Sequence, residues 1–191
     1  MPTRRRLSPD ARREAILAAG AGAFVAAGYA GTAMEDVVAA VGVTKLIVYR
    51  HFPTKEDLYR AVLERAADRV AHALRAGLDA DGFIVGARPV LAAAREDPDA
   101  FLLLWRHAAR EPAFADYADA LHAETVRVLR TRFADVVPPQ DLDYAAHRTV
   151  AFLVEAVIDW LRFGSPEGDE RFVRANNAGL RAGVRTWSIR P

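Results

Sequence analysis

Two helix-capping signatures, Thr32-Ala33-Met34-Glu35 and Thr54-Lys55-Glu56-Asp57, stand twenty-two residues apart. The first is a capping box, and the second has the same form with aspartate as its acid. Between them the only glycine is Gly42. This leaves room for two short helices, near 33–40 and 44–51, joined by Val41-Gly42-Val43. Glycine can take the positive φ of a tight helix–helix turn, and the flanking valines can bury against a neighbouring helix. The segment 33–52 therefore reads as a helix-turn-helix motif, whose second helix is the right size for a major groove.

The other helix starts are as legible. Ser8-Pro9 places a cap and an N1 proline before a helix near 9–27 that stops at Gly28. A long helix runs from 55 to about 76, with Leu58, Val62, Ala66 and Val70 as one apolar stripe. Asp97-Pro98 and Glu111-Pro112 mark further starts, and Pro138-Pro139 breaks the chain between two long helices. The segment from Ser165 opens a last helix over about 167–187. There is no alternating strand pattern and no internal repeat. The expected fold is all-α: a helix-turn-helix DNA-binding domain over 9–55, and a helical domain over 56–191.

At 191 residues and 52% hydrophobic, the chain can bury a core. With no cysteine, disulfides, thiolate metal sites and cysteine nucleophiles are excluded. The net charge of +1 hides an asymmetry: residues 1–55 carry eight basic and four acidic side chains, and the other 136 residues carry 18 and 21. A basic head on a mildly acidic body suggests a polyanionic partner for the head. Arginines followed by an apolar run near the N-terminus imitate a secretory signal. Charged residues from Asp10 to Glu14 press against that run, and Ile16, Gly20 and Phe24 repeat at helical spacing, so it reads as a packed helix. No other segment reaches the apolar length of a membrane span.

Both lysines of the chain, Lys45 and Lys55, fall within Thr44–Tyr59. Lys45 opens the second short helix, and Tyr49 and His51 at its far end offer donors to phosphate oxygens. Lys55 sits in the first turn of the long helix, where a cation opposes the dipole and an anion would offset the cost.

These residues carry a family likeness. Ile16 to Leu63, with Phe24, Gly28-Tyr29, Thr32, Gly42-Val43-Thr44, Tyr49, His51-Phe52, Lys55-Glu56 and Leu58, resembles the DNA-binding domain of the TetR family of bacterial transcriptional regulators. The resemblance implies a cytoplasmic homodimer on a palindromic double-stranded DNA operator, usually a repressor. It also implies a C-terminal domain that binds a small-molecule effector and dimerises. Carried over, it puts Thr32, Thr44, Tyr49, His51 and Lys55 on phosphates and makes Thr44–Tyr49 the recognition helix. Val38, Val41, Leu46 and Ile47 stand where the family commonly has small residues. Leu46 and Ile47 offer thymine-methyl contacts but no base hydrogen bonds. Polar readout then falls to Lys45, Arg50 and the arm with Arg4, Arg5 and Arg6, or specificity rests partly on DNA shape. The arm reads first as a solvated tail and only second as a minor-groove element.

The C-terminal part is less constrained. Val150–Phe163 is apolar nearly all round, so it should be buried on more than one side. Core and dimer interface both satisfy that, and the resemblance favours an interface formed by the last two helices. Glu155 and Asp159, four apart with Arg162 beyond, read as an ion-pair face or as a polar anchor for a ligand. Phe101, Leu104 and Trp105 suit a core or an aromatic pocket lining, with His122 and Tyr144 as further candidates. Metal-ligand spacing, a nucleophile elbow and a phosphate loop are all absent from the sequence, so no catalytic residue, metal or cofactor is expected. The rival reading is a helical protein–protein adaptor that kept the helix-turn-helix as packing.

Overall fold

A computed structural model describes residues 8–77 and 86–188, all helical or connecting, with no strand among them. The N-terminal elements are α1 (Pro9–Gly31), α2 (Met34–Val41), α3 (Lys45–His51) and α4 (Lys55–Gly77). Then come α5 (Ala87–Glu96), α6 (Pro98–Leu102), a π turn at Leu103–His107, α7 (Ala115–Phe133), α8 (Leu142–Phe163) and α9 (Asp169–Ser188).

The caps decide these bounds. Ser8 Oγ accepts from the Ala11 amide at 3.1 Å, and Asp97 accepts from that of Ala100 at 3.1 Å. Gly28 kinks α1 with φ 72°, so regular helix ends there as the sequence suggests, and one more turn follows. The start of α2 corrects the sequence reading. Its cap is Ala33, whose amide donates to Asp36 at 2.8 Å. Thr32 instead donates its hydroxyl to the carbonyls of Gly28 (2.7 Å) and Ala23 (3.1 Å) in α1. At Thr54 the expected box closes: the amides of Asp57 and Thr54 donate reciprocally at 3.0 and 3.1 Å. The start near Glu111-Pro112 is a turn, and α7 begins only at Ala115.

Two cores follow. The head core joins α1, α2 and α3 to the first half of α4 through Ile16, Leu17, Phe24, Val37, Val48 and Leu58. It also takes in Leu103, Leu104 and Phe114 from far along the chain. Tyr59 lies fully buried among Phe24, Tyr29 and Phe114, with ring centroids 4.8, 5.1 and 4.4 Å away. Burial, with Glu111 nearby, pushes its phenol pKa up, so it stays protonated. The body core is mostly aliphatic, with Phe101, Phe133 and Phe172 among its members, and joins the second half of α4 to α5, α7, α8 and α9. Packing thus runs across the expected division at 55/56.

By length and composition α1 could cross a membrane, at mean hydropathy 1.3. Its Ile16, Leu17, Gly20, Ala21 and Phe24 are nevertheless buried, with Gly20 close against Leu58 of α4.

The α8–α9 turn closes on Trp160. Its indole N–H donates to Asp169 at 2.7 Å, and its ring stacks on Phe172 at 5.1 Å. A Cβ on Gly164 would stand 2.3 Å from that ring, so the turn requires glycine.

Candidate nucleic-acid interface

The turn between α2 and α3 is built at Gly42, whose φ 69° and ψ 28° are left-handed and whose amide donates to Val38 at 3.1 Å. Fully buried Val37 and Val48 seat the two helices on the head core. Thr44, Lys45, Leu46 and Arg50 are left exposed, and Ile47, Tyr49 and His51 half-buried. Lys45, Leu46, Tyr49 and Arg50 therefore share the outward side of one short helix.

Within that side Lys45 and Tyr49 are already engaged. Lys45 Nζ donates to Glu35 at 2.6 Å and lies 5.2 Å from the Tyr49 ring centroid. The Tyr49 hydroxyl donates to the same Glu35 oxygen at 3.4 Å. The hydrogen bond from Lys45 holds the Glu35 carboxyl below its ordinary pKa and in turn raises that of Lys45. Sequence reasoning missed Glu35. The available signal was an acid on α2 facing a base on α3 across a tight turn.

Two residues expected on phosphates, Thr32 and Lys55, have internal partners. Thr32 is 3% exposed and its hydroxyl proton is committed to backbone carbonyls, so it has nothing to donate outward. Lys55 Nζ donates to the carbonyls of Tyr29 at 2.7 Å and Thr32 at 3.0 Å, over the Tyr29 ring at 4.6 Å. The negative partner that a lysine in a helix's first turn calls for is thus internal, the C-terminal end of α1. His51 Nε2 is buried with no partner among the described residues. Arg4, Arg5 and Arg6 lie outside the described residues.

In the body, a cavity of about 200 Å³ opens between α4, α5, α7 and α8. Its walls are aliphatic, with Leu104 and Trp105 among them, and the polar lining residues Glu124, Thr125 and Arg132 all come from α7. Trp105 sits in the π turn, and its indole N–H is buried with no partner among the described residues. Phe101 packs beside Trp105 in the body core, and His122 touches the Trp105 ring edge at 6.5 Å. Tyr144, Glu155 and Asp159 do not line the cavity: all three face outward, and Glu155 pairs with Arg106 rather than along its own helix. No group of three or more His, Asp or Glu side chains placed to hold a metal ion occurs among the described residues.

Residues 16–62 match the family described as bacterial regulatory proteins, tetR family. The transcriptional activator FasR of Mycolicibacterium smegmatis is 38% identical over 73 residues, 38% of this chain and 33% of that protein. The transcriptional repressor Rv3405c of Mycobacterium tuberculosis is 37% identical over 82 residues, 41% of this chain and 44% of that protein. The chain thus spans less than half the length of either relative. A crystal structure of AibR with isovaleryl coenzyme A and operator DNA shares the fold at TM-score 0.60 and 22% identity, covering 86% of this chain and 95% of that one. The helix-turn-helix segment of this chain, residues 16–62, is thus similar to the bacterial regulatory proteins of the tetR family, and the rest of the chain shares their fold.

Proposed function

We propose that the chain is a transcriptional regulator that binds a palindromic operator as a homodimer and represses until a small apolar molecule enters the body cavity. The observation that carries this reading is the uncovered outer side of α3, with Leu46 and Arg50 opposite the buried Val48. The basic head supplies attraction to phosphates, and the matches to regulators over the same residues support it. In this reading residues 9–55 bind DNA, and 56–191 bind the effector and dimerise.

Dimerisation through α8 and α9 is supported by what a single chain leaves uncovered. Phe152, Glu155 and Asp159 on α8, and Ala175, Ala178 and Ala182 on α9, are exposed. The apolar-all-round helix is therefore buried on one side only in one chain. Effector binding is supported by the aliphatic cavity and by AibR's having been crystallised with both an acyl thioester and DNA. An effector shifts the equilibrium only by binding two states differently.

In vitro selection of the purified chain on random duplex DNA tests the reading. An enriched inverted repeat with half-sites about one turn, ~34 Å, apart is expected. A folded, dimeric chain that enriches no sequence and shows no salt-dependent binding to arbitrary duplexes supports the adaptor instead.

A further inference from the structure

Resting on the DNA-binding reading, we infer that Leu46 reads the C5-methyl group of a thymine in each operator half-site and is the chief specificity-determining residue of α3. Val48 is fully buried and fixes the roll of the helix. Leu46 and Arg50, two residues to either side, lie about 160° around the helix from it at ~100° per residue. They are also four apart, so they stand one above the other as the ridge farthest from the protein.

Leu46 is 78% exposed, more than any other large hydrophobic residue described. Its polar neighbours are drawn aside, since Lys45 and Tyr49 both donate to Glu35 on α2. An incoming groove therefore meets a branched alkyl group first. That group has no donor or acceptor, and the major-groove feature matching it is the thymine methyl. An apolar protein partner is disfavoured by the setting, a ridge completed by Arg50 on a head with eight basic and four acidic residues. A polyanion studded with methyl groups satisfies both the charge and the alkyl surface.

The test begins with the duplex enriched by the full chain from random sequence. It is resynthesised with deoxyuridine replacing one thymine per half-site at a time, which removes only a methyl. Burying one methyl is worth about four-fold in affinity. One thymine per half-site should show that loss with the wild-type chain, and Leu46→Ala should bind the thymine and deoxyuridine duplexes equally. Because Leu46 is exposed, the substitution leaves the core untouched, and circular dichroism checks the fold. The inference is overturned by selection without enrichment, by half-sites in which no thymine methyl matters, or by discrimination that survives in Leu46→Ala. If neither chain binds any duplex, even arbitrary DNA at low salt, the DNA-binding reading falls and the inference with it.

Discussion

The head and the body of this chain are held by different kinds of core. In the head, Phe24, Tyr29, Tyr59 and Phe114 meet edge to face or tilted, and Lys55 ties α4 to the end of α1. Ring contacts of this kind fix orientation as well as distance. In the body the aromatic rings are spread out, and mainly valines, leucines and alanines, with Trp105, surround a cavity of about 200 Å³. Protein interiors are otherwise close-packed, so a void marks where side chains can rearrange at low cost. The contrast places stiffness under the outward helix α3 and compliance some distance away, with α4 contributing to both cores.

The largest expected effect tests whether the head owns a residue so distant in sequence. Phe114→Ala should cost about 3–5 kcal/mol in chemical denaturation. Exchange protection of amides in α1 and in the first half of α4 should fall with it. Protection lost only in α7 would break the comparison, since Phe114 would then belong to the body.

Lys55→Met comes next. It keeps the stem and deletes the hydrogen bonds to the Tyr29 and Thr32 carbonyls, which should cost about 1.5–3 kcal/mol. The salt dependence of DNA binding should keep its slope. A slope lower by about one ion would restore Lys55 to the phosphate contacts.

The smallest effect concerns acid. Asp169 is held below its ordinary pKa, first by Arg95, which donates at 2.8 Å, and then by Trp160. A depressed carboxylate stabilises the fold above its unfolded pKa, ordinarily 3.8, and that contribution is lost as pH falls through the lower folded value. Because the pair is partly exposed, the contribution is modest. Below about pH 4, Trp160 fluorescence should report loosening of the α8–α9 turn, and Asp169→Asn should remove that acid step. An identical acid profile in the variant would assign the loss to other carboxylates.

What the sequence disclosed follows from how local each signal is. The Thr54 box, the left-handed Gly42 and the stripe Leu58, Val62, Ala66, Val70 concern residues within a turn or two, and all stand as expected. The internal partners of Thr32 and Lys55 were not legible, because they are carbonyls near the end of α1, up to 26 residues away in the chain. Phe114 gave no local sign of joining the head. Leu104 and Trp105 were legible as cavity lining, but the walls supplied by α4 and α8 were not, since helical periodicity shows which side is buried and not against what.

The place of Phe114 in the head core has a consequence for the order in which the chain is made. The family-like segment ends at residue 62, yet its ring cluster lacks a member until residue 114 has been synthesised. At about 5–20 residues per second, translation leaves the nascent head incomplete for roughly 3–10 s. Through that interval Tyr29 and Tyr59 present bare aromatic faces beside the ribosome exit, and an excised fragment ending at residue 62 would keep them bare permanently.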